Sequence, residues 1–556
     1  MIEKIQPTHL PLARLLDGRL FKIPDYQRAY SWTSRERKDL FDDIENLYLK
    51  GAEESHFMAT VVCLRREKVQ LGTDEYDQLD VVDGQQRLTT IVLILNAIRL
   101  ALDSGEPRQN RVRSEISELL VKVEGDNLLL LQTNHDTSHH FADFLRDSRV
   151  NSLDQGKTIA DRELLTAVSD CRSFVKNWTK GERDLLGLYA CIKNRLSFIL
   201  HEISDEKLVY TVFEVLNSRG MEVSWLDRLK SILMGKAFEL KKKNRNQLIS
   251  DLHNIWRDIY AQIGLHQGLS TEALKFAATL YQSDMPSRPL GERDAVDEFR
   301  SKAKDAKSIR EIAHWLLRIT KACDEVISNH RQNAVTRISQ ARLLAVAIHL
   351  DSNMKESDRK ELLSRWEKVS FRIYGMMGRD ARTGVGDYVR LAWRVANEGL
   401  AIKEIHSEIR FIGKQFPISK AVESLRNTNC YDGWESELRY FMFRYEEYLT
   451  RREGNNFQNE QWERIWEASP SKSIEHIIPR SRASNDIRHR LGNLMILPPN
   501  LNARLQDKPT SQKLEAYRKT GLLSAIEVAS KSRWIKRTVR EREEELLRWV
   551  TNEWAD

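Results

Sequence analysis

Residues 76–102 read YDQLDVVDGQQRLTTIVLILNAIRLAL, and the architecture of the N-terminal half turns on them. Tyr76 to Val82 alternates toward apolar side chains, the period-two pattern of a strand with one face in a core. Polarity then concentrates in Asp83-Gly84-Gln85-Gln86, after which Leu88 to Leu102 runs apolar for the length of a helix. Asp83 stands where an N-cap belongs and Gln86 follows three residues later, the spacing of a capping box. A strand is therefore expected to feed straight into a helix N-terminus. Upstream, Phe57 to Leu64 (FMATVVCL) is a second strand, joined to the first by a polar loop from Arg65 to Glu75. The apolar run carries Thr89, Thr90, Asn96 and Arg99, too short and too polar for a span of roughly 20 apolar residues, so no membrane partner is expected.

Working outward, 556 residues exceed what one hydrophobic core organises, which predicts two to four domains. Hydrophobic residues at 41% and charged residues at 30% are globular values and exclude a largely disordered chain. The start, Met-Ile-Glu-Lys-Ile-Gln-Pro, lacks a basic region leading into an apolar one, so a cytoplasmic location is expected. The five cysteines are scattered, with no CxxC pair, which argues against a disulfide framework and a thiolate zinc site. Any metal is then held by O and N ligands.

Along the chain, residues 1–235 mix strand and helix signals. Leu208 to Leu216 reads as helix, Asn217-Ser218-Arg219-Gly220 as its stop, and Ser224 with Asp227 as the box opening the next helix. Residues 236–455 are amphipathic helix without an internal repeat, exemplified by Ala341 to His349 and Trp434 to Leu449, and read as a helical middle domain or spacer. Residues 456–556 change character. Ser473 to Ile478 is strand-like, Pro479 to Gly492 a basic loop, Leu494 to Leu497 a second strand, and Pro498-Pro499 precedes a short helix. The chain closes on a helix over Trp534 to Trp554, with Ile535, Val539, Leu546, Val550 and Trp554 on one docking face.

The sharpest chemistry lies in Ile474-Glu475-His476-Ile477-Ile478-Pro479, followed by Leu491-Gly492-Asn493-Leu494 and then Asn502. A carboxylate beside a histidine, a strand-loop-strand return and a downstream amide supply the parts of a one-metal phosphodiesterase. Adjacent strand residues point to opposite faces, however, so Glu475 and His476 serve one site only if the strand ends or twists there. From Ser471 to Thr520 ten Lys/Arg stand against four Asp/Glu, a net +6 within a whole-chain +7. That cluster is the footprint of a phosphate-backbone partner or else a solvated surface.

Three further motifs stand in the first half: Ile23 to Trp32 (IPDYQRAYSW), Asp83 to Thr90 (DGQQRLTT), and Phe213 to Gly220 (FEVLNSRG) followed by Asp227 and Lys230. Backbone N–H groups opening the helix after Gly84, with the Arg87 guanidinium, make a natural anion site, and Tyr26 or Tyr30 is placed to stack on a base. The alternative is structural: a capping box at Asp83 and Gln86, a helix C-cap at Gly220, and core aromatics.

The C-terminal set resembles the HNH, or ββα-metal, nucleases, and more closely the C-terminal domain of GmrSD-type modification-dependent restriction endonucleases. The three N-terminal motifs, in this order, resemble the ParB-like DGQQR domain of the same proteins. The resemblance implies an α+β, predominantly helical chain, with a ParB-like α/β domain at 1–235, a helical middle at 236–455 and an HNH domain at 456–556. It implies that His476 is the general base, that Asn493 holds His476 in its working orientation, and that Glu475 and Asn502 hold Mg²⁺ or Mn²⁺, with Asn500 a competitor for the last position. It implies a nucleoside triphosphate (GTP, ATP or UTP) lined by Gln27, Arg28, Asp83, Gly84, Gln85, Gln86, Arg87, Asn217, Arg219, Asp227 and Lys230. Arg480, Arg482, Arg488, Arg490, Arg504 and Lys508 are the expected DNA contacts.

The expected function is that of an NTP-regulated, divalent-metal-dependent DNA endonuclease or nickase of an anti-phage system, acting on double-stranded and modified phage DNA. A homodimer or other oligomer is open. The rival readings are a nucleotide-switched DNA-binding regulator or toxin whose HNH fold does not cut, and an NTPase motor or scaffold.

Overall fold

Charge pairing extends the expected hairpin at the expense of its loop. Strand His56–Leu71 pairs antiparallel with Asp74–Asp83, leaving only Gly72-Thr73 as the turn, with Gly72 at φ +57°. Lys68 reaches Glu75 at 2.6 Å, Arg65 reaches Asp77 at 3.1 Å and Arg66 reaches Asp80 at 2.7 Å. These opposite-charge pairs across the ladder accompany its extension through a segment whose polarity reads as loop.

The computed structural model describes residues 7–24, 27, 29–50, 55–122, 128–133, 138–180, 183–204, 224–240, 242–266 and 268–555. Tyr26, Arg28, the expected 208–216 helix, and Asn217 and Arg219 in its stop lie outside the described residues. The chain divides into two compact units, residues 1–274 with 291–321, and residues 275–290 with 322–556. The helices expected to form a separate middle domain are thus shared between two bodies. Among the described residues no helix is long and apolar enough to cross a membrane, and all five cysteines are buried and free.

In the first unit the hairpin sits inside a six-stranded mixed sheet, in the order Thr8–Pro11, Leu196–Ile203, His56–Leu71, Asp74–Asp83, Arg19–Ile23, Leu131–Thr133. Thr8–Pro11 runs antiparallel to Leu196–Ile203, as do the two hairpin strands to each other; the other three ladders are parallel. Helix Gln85–Ala101 leaves the sheet centre and is buried on every side from Leu88 to Ile98, the polar Thr89, Thr90 and Asn96 included. A helix so placed must be covered all round. Helices Pro107–Leu120 and Ile159–Lys180 supply that cover. Of the expected box at Ser224 and Asp227 the cap is present: Ser224 precedes helix Trp225–Glu239 and its Oγ accepts from the Asp227 N–H at 3.2 Å.

In the second unit the expected helices appear as Ser339–Leu350 and Glu435–Glu453. Near its C-terminal end, two three-residue strands, Ile474–His476 and Leu494–Ile496, pair antiparallel with Leu494 opposite His476. Helix Pro499–Leu505 follows, with proline at its first position, where the missing N–H costs nothing. The last helix, Lys536–Glu553, packs on the turn Leu491–Asn493 that leads into the second of these strands, and Val539, Leu546 and Val550 lie on its buried face. Ile535 is 41% exposed: it precedes the helix as the N-cap residue and does not share the docked face.

The Leu491-Gly492-Asn493-Leu494 motif is explained by that docking. A Cβ on Gly492 would lie 2.0 Å from the Val539 carbonyl oxygen, so only glycine fits beneath the helix. Arg542, buried in the same helix, donates to the carbonyls of Leu491 at 3.3 Å, Gly492 at 3.0 Å and Leu494 at 2.8 Å. Gly492→Ala is expected to lower the stability of this unit by about 1–3 kcal/mol, the cost of forcing a packed helix aside, measured as a shifted urea midpoint at unchanged slope.

Candidate functional site

Strand alternation divides the Glu-His pair. Glu475 and His476 are both buried, but they leave the ribbon toward opposite sides. Glu475 Oε1 accepts from Lys513 Nζ at 2.6 Å and from the Tyr517 hydroxyl at 2.6 Å. Burial pushes its carboxyl above the usual range, while the Lys513 ammonium opposes the rise. Lys513 also donates to the His476 carbonyl at 3.2 Å, tying helix Thr510–Arg518 to the strand. The carboxylate is thereby half of a buried ion pair.

Asn502 is equally committed. Its amide donates to the carbonyls of Lys472 at 2.9 Å and Ile474 at 3.0 Å, clasping the start of the strand. Asn500 is exposed. Asn493 exchanges bonds with the Ile478 backbone, accepting at 2.9 Å and donating at 3.1 Å, and donates to the Arg488 carbonyl at 3.0 Å. It fastens the ends of the basic loop and makes no side-chain bond to His476. The structure therefore sends Glu475 and His476 to opposite sides of the ribbon, pairs Glu475 with a buried ammonium and commits the Asn502 N–H groups to two backbone carbonyls. Among the described residues no three His, Cys, Asp or Glu side chains converge as a metal cage.

What surrounds His476 is different. Its Nε2 lies 3.1 Å from Nδ1 of His489. Tyr431 stacks on the His489 ring at 5.0 Å and meets the His476 ring edge-on at 4.7 Å. Arg480, exposed, covers the Tyr431 ring at 5.2 Å. Burial, reinforced by His489 and Arg480, lowers His476 to about 3, so the imidazole is neutral at physiological pH. Burial also lowers His489. Neither Tyr431 nor His489 is legible as a site residue: Tyr431 lies 45 positions before His476, and His489 reads as one residue of a basic loop.

The basic cluster also divides. Arg480, Arg482, Arg504 and Lys508 are exposed. Arg490 is not available: it grips the buried Glu543 carboxylate at 2.6 Å and caps the Arg426 carbonyl. Arg488, half-buried, donates to the Ala483 carbonyl at 3.3 Å.

In the first unit the expected capping box is absent. Gly84 at φ +93° is the N-cap residue of helix Gln85–Ala101, because the chain leaves the strand by a left-handed turn over Val61 that a side chain resists. Gln86 accepts from the Ser31 N–H at 2.9 Å and donates to the Ala29 carbonyl at 3.1 Å. Gln27 is buried and donates to the Val82 carbonyl at 2.8 Å. Tyr30 is buried with its hydroxyl on Thr90 at 2.8 Å, so it is not placed to stack on a base. Lys230, also buried, lies 3.5 Å from the Gln27 carbonyl. The sequence motifs containing Gln27, Gly84 and Lys230 meet at one helix N-terminus, and two glutamines serve as the clasps. Arg87 is exposed and lies over Trp32 at 5.7 Å. Asp227 accepts from the Tyr260 hydroxyl.

The depressed basicity of His476 has a thermodynamic sign. The unfolded chain binds a proton near pH 6.5 and the folded one only near 3, so stability is full above pH 6.5 and falls as pH drops through that window. Wild type is expected to lose more stability between pH 7.5 and 5 than His476→Gln does, read from urea unfolding at each pH.

Comparison with known proteins places both regions. Residues 12–234 match the model described as GmrSD restriction endonuclease, N-terminal domain, and residues 418–549 match that of the GmrSD restriction endonucleases, C-terminal domain. No curated protein matches the chain. The second match takes in Tyr431 as well as His476 and His489. With both halves present in order on one polypeptide, the chain belongs to the GmrSD-type restriction endonucleases.

Proposed function

We propose that this protein is a DNA endonuclease or nickase in which His476, on a ββα-metal (HNH) scaffold, is the general base, and in which the N-terminal unit binds a nucleoside triphosphate. The observation that carries this reading is the neutral imidazole of His476 beneath an exposed arginine, Arg480, in a domain of restriction-endonuclease type. A neutral imidazole has a lone pair to take a proton from water. A phosphodiester brought up by Arg480, Arg482, Arg504 and Lys508 adds negative charge, which raises the proton affinity of His476 when it is needed. Mg²⁺ or Mn²⁺, expected from the family resemblance, would supply electrostatic relief at the phosphate.

At the other site, the helix N-terminus after Gly84, Arg87 and Lys230 offer the donors and positive charge that a triphosphate requires. GTP, ATP and UTP share that group. Nucleotide binding would then gate cleavage of foreign, modified DNA. The neutralised Glu475 favours one rival, a nucleotide-switched DNA-binding regulator with an HNH fold that does not cut.

Nicking of supercoiled plasmid and of modified and unmodified phage DNA, with Mg²⁺ or Mn²⁺ and each NTP, separates the two. Wild type is expected to cut and His476→Ala to cut at least about 10²-fold more slowly; equal rates would remove His476 from the mechanism, and no cutting under any condition would leave the regulator. Arg87→Ala is expected to weaken NTP binding by about 10-fold or more, the loss of a charge-assisted hydrogen bond, in calorimetric titration. Unchanged affinity would move the nucleotide away from this helix.

A further inference from the structure

We infer that His489, not Asn493, is the positioning residue of the cleavage site, and that it fixes the tautomer and ring plane of His476. The inference rests on the nuclease reading above. Asn493 cannot fill the role because its amide is spent on Ile478 and Arg488. His489 is within hydrogen-bond distance, Nδ1 to Nε2 at 3.1 Å.

Two ring nitrogens so placed share one hydrogen, and only one arrangement suits catalysis. If His489 Nδ1 carries the hydrogen, His476 accepts at Nε2 and is protonated at Nδ1, with no lone pair left for water. If His476 Nε2 carries it, His489 accepts at Nδ1, and Nδ1 of His476 keeps its lone pair. In the second arrangement a water O–H bond breaks, its proton joins His476 Nδ1, and the electron pair left on the oxygen forms the new bond to phosphorus as the bond from phosphorus to the leaving sugar oxygen breaks, that oxygen keeping the bonding pair and taking a proton from solvent. The Nε2–H of the resulting imidazolium already points at His489, which stabilises the charge as it forms, the logic of an orienting partner behind a catalytic histidine.

The surroundings hold this pair in place. Tyr431 packs on both rings, nearly parallel to His489 at 16° and inclined to His476 at 60°. The His489 carbonyl accepts from the Cys430 N–H at 3.0 Å, and Cys430 is fully buried, so the loop that brings Tyr431 is anchored to the histidine it covers.

The test uses the full chain and two substitutions. His489→Phe keeps a ring against Tyr431 and removes the nitrogen; His489→Asn returns an acceptor near the Nδ1 position. Nicking rates at saturating DNA are expected to fall by about 10- to 100-fold in His489→Phe, with duplex affinity by fluorescence anisotropy within about twofold of wild type, and to recover largely in His489→Asn. A His489→Phe enzyme that cuts at the wild-type rate overturns the inference, as does a His489→Asn enzyme no faster than His489→Phe, or a parallel loss of rate and affinity. Melting temperatures check that both variants fold; should His489→Phe not fold, the rate of His489→Asn decides alone. His476→Ala in the same assay keeps the two claims apart: inactive His476→Ala with fully active His489→Phe sinks this inference only, while an active His476→Ala sinks the nuclease mechanism with it.

Discussion

The C-terminal half of the molecule depends on how closely the final helix approaches the backbone of the Leu491–Leu494 segment. No side chain fits at Gly492, and Arg542 donates to the carbonyls of Leu491, Gly492 and Leu494. A buried guanidinium donating to several carbonyls at once ties the helix to that backbone. Two three-residue strands are far below the length at which a hairpin is stable alone, so the position of His476 is set by a helix 60 or more residues downstream. Arg490, gripping Glu543 on the same helix, reinforces the contact and is lost to DNA for that reason.

The second constraint is the period of a strand. One residue of separation puts Glu475 against Lys513 and Tyr517 and His476 against His489 and Tyr431. The carboxylate and the imidazole thus do different work: the first builds the scaffold from below, the second faces the loop. Asn493 and Asn502 hold backbone in place and Glu475 pairs with Lys513 and Tyr517, so the motif is in large part a folding motif.

This division explains what was legible in the sequence. Strand, turn and helix at 76–101, the Ser224 cap, the closing helix and the family resemblance follow from patterns that local chemistry writes directly. The extent of the 56–83 hairpin was not legible, because its outer half is stabilised by charges across the ladder and reads as loop along it. The absence of the expected capping box was not, because Gln86 has a better partner in Ser31 and Ala29, some 55 residues away. The surroundings of His476 were hidden for a related reason. Spacing reports which residues are near in the chain, whereas Tyr431 and His489 are brought in by a loop docked through Cys430.

That docking bears on how modular the nuclease is. Composition changes at 456, and a fragment cut there would retain His476, the Gly492 turn and the closing helix. It would discard the aromatic wall at Tyr431 and the anchor at Cys430, both of which lie ahead of helix Glu435–Glu453. The set of residues packed around His476 therefore begins before that long helix, and a fragment meant to keep those surroundings intact would have to carry the helix along.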